Sequence, residues 1–427
     1  MKNKKTTRIY TKRERRKKTA LRAVAGAVIG GAAIVALLIF VMSRLYEQLN
    51  DILISYSANM EIPLSNIQTM PPAAEEEADY ALETPVIAAD RDEYFEYIGE
   101  LELPLNGATG FAPVRVEMKE QPDADAALIK HLEPGAGFLI IGELGEWWEV
   151  SAYGDTGFIR HEFCMINLPD VIPSIRYNAT NTYNSRFASS WYALPGISGE
   201  QLYSGRSYNA RLGKDEYIVA VMYPMSKKIC AAQRLALAEG NCIVIYEGFR
   251  PLSVQRRVAD ALSEISALNE DVNKGINTAP WHIGWFIATG VSNHQRGCSI
   301  DASLVQPDLA YAVSGDYKYL THANAPYYYN MPTPIHELSN EAVAFAYPVT
   351  VGTETNVYGI APSAGMRENN AAQNLQRYCV SAGLYPLASE WWHFDDLITR
   401  SIVPGNSVGD YILSEVYSRP PETSDGR

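Results

Sequence analysis

Two short segments hold residues that can do chemistry together: Ser292-Asn-His-Gln-Arg-Gly-Cys-Ser-Ile-Asp301 and Ser389-Glu-Trp-Trp-His393. They contain two imidazoles and two carboxylates, in a chain with only seven histidines among 427 residues. Zinc takes imidazole nitrogen and carboxylate oxygen readily, and a catalytic zinc keeps three protein ligands and one open position. A carboxylate outside that shell can then serve as a general base. In His294-x6-Asp301, Gly297 allows a bend, and the alternating run that follows predicts a strand able to return Asp301 beside His294. In Glu390-x-x-His393 an extended backbone would send the two side chains to opposite faces, so a turn is required there. Taken singly, each piece is weak, because His-x6-Asp and Glu-x-x-His pairs are common as plain hydrogen-bonded or core residues. The stretch Tyr246-Glu-Gly-Phe-Arg-Pro251 adds Arg250 just after an apolar strand-like run, at a loop position where sites gather their residues.

The elements that must position these residues follow from periodicity. Residues 225–239, 251–268 and 369–382 read as amphipathic helices, with Pro251 opening the second, and residues 242–246 read as a buried strand. Further upstream, short β-prone runs at 114–116, 138–141, 147–150 and 157–160 alternate with turn-rich segments and predict a small all-β module. Five scattered cysteines without a CxxC pair argue against a zinc ribbon or a dense disulfide framework, and an odd count leaves at least one unpaired within the chain. Cys298 falls inside the histidine segment, where a small buried strand residue is the better expectation than a nucleophile.

Charge is distributed unevenly. Residues 1–22 hold eleven Lys/Arg and one acid, leaving 25 basic against 48 acidic residues in the rest of the chain, a net −23. So acidic a body is a poor match for nucleic acid. Residues 23–43 contain an apolar run long enough to cross a bilayer as a helix, with the basic cluster on its N-terminal side. The positive-inside rule then keeps residues 1–22 cytoplasmic and the rest outside. The run lacks a small-x-small cleavage site, which predicts a retained anchor. Residues 44–110 are expected to be an extracytoplasmic stalk, acidic and without aliphatic periodicity over 71–90.

Two resemblances sharpen this outline. Gly145-Glu-Trp-Trp-Glu-Val150 and Gly154-Asp-Thr-Gly-Phe-Ile159 resemble the bacterial SH3 domain, which implies such a module at 111–168, serving either as a contact with cell-wall peptides or as a spacer. In the same order along the chain, Gly-Phe-Arg250-Pro, Ser292–Asp301 and Ser389–Phe394 resemble the zinc D-Ala-D-Ala dipeptidases, related to those of vancomycin resistance. That resemblance implies a zinc peptidase domain over 170–415, followed by a tail at 416–427. By position it makes His294, Asp301 and His393 the ligands of one Zn2+, Glu390 the general base and Arg250 the oxyanion partner. It also makes Ser292 a substrate contact.

One departure stands out. Where the dipeptidases carry an aspartate for the substrate's amino group, this chain has His336 followed by Glu337, and either could face the substrate. The expected fold is therefore α+β: a mixed or antiparallel sheet with flanking helices, preceded by a small SH3-like barrel and one transmembrane helix. The expected function is a membrane-anchored, extracytoplasmic zinc peptidase acting on D-Ala-D-Ala-type bonds, in the free dipeptide or in a peptidoglycan stem peptide. The rival expectation is an inactive wall-binding protein that uses the SH3-like module.

Overall fold

In the computed structural model the described residues are 94–351 and 354–422. The basic tail, the apolar run 23–43, residues 44–93 of the expected stalk and residues 423–427 lie outside them. Among the described residues no helix is long and apolar enough to cross a membrane.

The chain is α+β, and two sheets carry most of it. The sheet that matters for chemistry runs in the order Tyr385–Pro386, His393–Asp395, Ser299–Gln306, Cys242–Glu247, Arg176–Tyr177, with Tyr327–Tyr328 also paired to Ser299–Gln306. Its pairings are antiparallel except the last, which is parallel. The strand Cys242–Glu247 is buried at every position, as a strand covered on both faces must be. Helix Leu252–Leu268 turns Val254, Val258, Ala261 and Leu262 inward at helical spacing. Pro251 lies just before this helix, at its N-cap, one residue earlier than the expected first helical position. Helices Tyr223–Ala238 and Asn370–Ser381 pack together, the latter started by Asn369, whose side chain accepts from the backbone of Ala372.

The all-β segment forms Val116–Lys119, Gly137–Leu144, Trp147–Ala152 and Asp155–Arg160, close to the expected runs. Its sheet does not stop at the expected domain boundary. It continues through Thr109–Phe111 and Met165–Asn167 into Ala220–Met222, which leads into helix Tyr223–Ala238. Trp148 is fully buried against Tyr223 of that helix, ring centroids 4.7 Å apart. A single apolar core therefore spans both parts.

Two expected boundaries need correction. Residues 94–110 are not stalk: Phe95–Glu96 pairs with Tyr317–His322, and Leu101, Leu103 and Leu105 are buried. Residues 416–422 are not a free tail, since Arg419 N–H donates to Gly107 O and Ser418 is buried. Both segments find their partners hundreds of residues away, Phe95 at Asp316 and Arg419 at Gly107.

Candidate metal centre

The sheet register explains why the expected ligands meet. Glu247 pairs with Asp301, and Asp301 pairs with His393, so three chemically active side chains form one row across three adjacent strands. The fourth, His294, enters from the short 3-10 turn His294–Arg296 that precedes the central strand. Gly297 ends that turn at φ +65°, and a side chain there would meet Met165 Sδ at 2.7 Å, so the bend anticipated at this glycine is present and sterically enforced. The turn required before His393 is also present: His393 N lies 3.5 Å from Glu390 O, and the strand starts only at His393. Trp391 and Trp392 are core, with Trp391 Nε1 donating to Thr333.

His294 Nε2, His393 Nδ1 and Asp301 Oδ1 form a triangle with edges of 3.2, 3.0 and 3.4 Å. Ligand atoms around a tetrahedral zinc, at about 2.0–2.1 Å from it, are about 3.3 Å apart, so the three atoms fit one such ion. The outer side of each ligand is held. His294 Nδ1 faces Gly248 O at 2.7 Å; a carbonyl only accepts, so Nδ1 carries the hydrogen and Nε2 presents its lone pair. His393 Nε2 faces Asp395 Oδ1 at 3.0 Å, and Asp395 in turn accepts from Ser299 Oγ. Asp301 Oδ2 accepts from Arg250 Nη2 at 3.0 Å and faces His336 Nε2 at 3.2 Å. Outer partners of this kind orient metal ligands and raise their basicity. The buried His/Asp group can therefore hold a metal ion.

The electrostatics follow from burial and crowding. Burial alone would raise the Asp301 carboxyl, but the surrounding histidines hold it well below the usual range. Burial opposes the charge on His393 too, yet the carboxylates at both ring nitrogens raise it well above an ordinary imidazole. Glu390, whose Oε2 is 3.7 Å from His393 Nδ1, is pushed up to about 8, chiefly by burial, with the Asp301 charge adding to the rise and His393 and Arg250 opposing it. A carboxyl so placed exchanges protons near neutral pH, which suits a general base or acid.

Arg250 is buried and engaged inside the protein: Nε donates to Glu247 at 2.7 Å, Nη1 to Gln255 at 2.8 Å and Nη2 to Asp301. The residue expected to meet an oxyanion is thus built first as a clamp on Asp301. Glu247, Asp301 and His336 also face one another within metal-ligand reach, but Arg250 Nη2 already joins Glu247 Oε2 and Asp301 Oδ2 at 2.5 and 3.0 Å. Ser292 lines the same cavity of about 430 Å³, its backbone N–H and hydroxyl both turned to Gln295 Oε1. His336, also on the cavity wall, is buried in a left-handed backbone conformation (φ +64°) and stacks on Phe187 at 4.5 Å. Glu337 is turned elsewhere, accepting from the backbone N–H of Trp191.

The expected ligands, base, arginine and serine thus come to one cavity. Asp395, Glu247 and Gln255 were not anticipated. For Asp395 a signal was available, since His393 and Asp395 alternate within one strand and must share a face. All five cysteines are free and buried; burial pushes the Cys298 thiol well up, which leaves it unsuited as a nucleophile.

No protein-family model matches the chain, and no curated protein is found similar to it.

Proposed function

We propose that the chain is a zinc peptidase cleaving D-Ala-D-Ala-type peptide bonds, its catalytic part preceded by an SH3-like module and held outside the cell by a single transmembrane helix at 23–43. The observation that carries this is the triangle of lone pairs on His294, Asp301 and His393, with Glu390 beside it and every outer atom of the ligands occupied. Zinc bound by these three would lower the pKa of a water and polarise the substrate carbonyl. Glu390 takes the proton of the attacking water and returns it to the departing nitrogen. Arg250 and His336 fix the outer oxygen of Asp301, so that Oδ1 points at the histidines. Asp395 does the same for His393 through Nε2. Ser292, on the cavity wall, offers its Oγ lone pairs to a substrate N–H. The resemblance of these motifs to the D-Ala-D-Ala dipeptidases supplies the substrate class.

Metal analysis of the purified chain, together with hydrolysis of D-Ala-D-Ala and of peptides ending in that pair, tests the proposal. One zinc per chain is expected. Glu390→Gln should keep that zinc and lose activity by about 10²–10⁴-fold. A protein that takes up no zinc, or a Glu390→Gln variant as active as the parent, would refute it.

A further inference from the structure

Gln295 stands next to the ligand His294 in the short 3-10 turn His294–Arg296 and is fully buried. Its side chain joins two parts of the site. Nε2 donates to Arg250 O at 2.9 Å, while Oε1 accepts from the backbone N–H and the hydroxyl of Ser292, at 2.7 and 2.8 Å. The two main-chain partners fix which way the amide faces. A carbonyl only accepts and a backbone N–H only donates, so the reversed amide would set acceptor against acceptor and donor against donor. The main chain of Gln295 is braced as well. A side chain at Gly409 would meet Gln295 O at 2.6 Å, and Gly409 O accepts from Leu252 N–H at the start of the helix that follows Arg250.

The consequence falls on Ser292. Oε1 of Gln295 can only accept, so the single hydroxyl hydrogen of Ser292 is directed at it, and Oγ keeps two lone pairs at the cavity wall. A serine free to turn its hydroxyl would serve a substrate N–H and a substrate carboxylate alike. Held by Gln295, Ser292 pairs with an N–H, whereas a carboxylate or carbonyl oxygen placed there would meet lone pair with lone pair. The amide of Gln295 thereby sets the hydrogen-bond polarity of this part of the wall.

We infer that Gln295 is a specificity-determining positioning residue, which acts through Ser292 by fixing that serine as an acceptor for a substrate N–H. The inference rests on the zinc-peptidase proposal and names the group that the site recognises. Two N–H groups flank a scissile carbonyl: that of the bond to be cut, and that of the residue bearing the carbonyl. Both have the donor chemistry that Ser292 accepts, and neither position suits an oxygen.

The test measures calorimetric binding to the full zinc-loaded chain carrying Glu390→Gln, which holds substrate without turnover. The probes are acetyl-D-Ala-D-Ala and its two N-methyl derivatives, one methylated on each amide nitrogen. Methylation of the nitrogen that faces Ser292 should weaken binding about tenfold more with Ser292 present than in Ser292→Ala, the scale of one hydrogen bond. The other derivative should show no such coupling, which tells the two nitrogens apart. Gln295→Met, close to glutamine in shape, should cut the coupling to about twofold or less with zinc content unchanged. Gln295→Glu, whose oxygens also accept from Ser292, should keep it, and this variant carries the test if Gln295→Met does not fold. A residue that merely held the fold would weaken all three probes alike and leave the coupling intact. No coupling of either derivative to Ser292, a coupling that survives Gln295→Met, or one lost in Gln295→Glu would each overturn the inference and leave the peptidase proposal standing. Binding of none of the probes would also overturn it, and would sink the peptidase proposal too only if the parent chain left D-Ala-D-Ala uncut.

Discussion

Two fully buried carboxylates, Asp301 and Asp170, sit in one fold with opposite kinds of company. Asp170 accepts from Thr109 N–H at 2.8 Å, Asn209 Nδ2 at 2.6 Å and Ser418 Oγ at 2.6 Å. All three partners are neutral donors, and burial leaves its carboxyl raised despite them and the nearby Arg211. Oδ1 of Asp301 instead faces two imidazole nitrogens, one of them with its lone pair forced inward by the carbonyl of Gly248. A carboxylate surrounded by donors is satisfied by the protein alone and ties segments together. Lone pairs that converge on one point are satisfied only by a cation. Burial and hydrogen-bond number are alike in the two clusters, so the chemistry of the partners is what separates a structural acid from a functional one.

The largest effects should fall on opposite observables in the two clusters. Glu390→Gln, beside Asp301, should cost activity by orders of magnitude and leave thermal stability nearly unchanged. Asp170→Ala should do the reverse. It orphans three buried donors, each at a cost of about 1–3 kcal/mol, so chemical denaturation should show a loss of roughly 3–5 kcal/mol with zinc content and kcat intact in the protein that remains folded. Loss of zinc from the Asp170 variant at temperatures where it is folded would break the division between the clusters.

That division was only half legible in the sequence. His294, Asp301, Glu390 and His393 stand in short motifs whose residue types announce metal chemistry, and the helices and the strand Cys242–Glu247 lie within a few residues of where their periodicity puts them. The row Glu247–Asp301–His393 was not legible, because register between strands some fifty and ninety residues apart is set by the whole sheet. The structural cluster was invisible for the same reason. Thr109 and Ser418 are joined side chain to side chain at 2.8 Å across most of the chain, and each sits in a segment whose local composition reads as linker or tail. Turn and strand signals are local; burial of a polar segment is decided by partners that no sequence window contains.

A third acid, the part-buried Glu102, extends the comparison to pH. It accepts from Ser174 N–H and Oγ, but burial dominates and pushes its carboxyl up to about 7. The folded state therefore holds this proton over a range where the unfolded chain has released it. Its contribution should favour folding most below about pH 4.5, fall as pH rises toward 7, and stay flat above. Glu102→Gln should remove that slope and stabilise the protein at pH 8 by on the order of 3 kcal/mol, read as denaturation midpoints across pH. An unchanged slope would mean that other groups set the dependence.

The smallest effect probes the boundary between the two kinds of cluster, at Asp395. This residue looks structural, since Ser299 Oγ donates to it and it lies outside the ligand triangle. Yet burial, which would raise it, is outweighed by the charge of His393 and its hydrogen bonds, and the carboxyl is held below the usual range. If its role is to orient His393 through Nε2–H, then Asp395→Asn keeps the shape and one acceptor but removes the charge that makes the imidazole a stronger ligand. Zinc affinity, measured by competition with a chelator, should weaken by about 10–100-fold, with little change in stability of the metal-free protein. The opposite pattern, lost apo stability with unchanged zinc affinity, would place Asp395 with Asp170 among the acids that only hold the fold. The metal centre would then end at its three ligands and the clamp on Asp301.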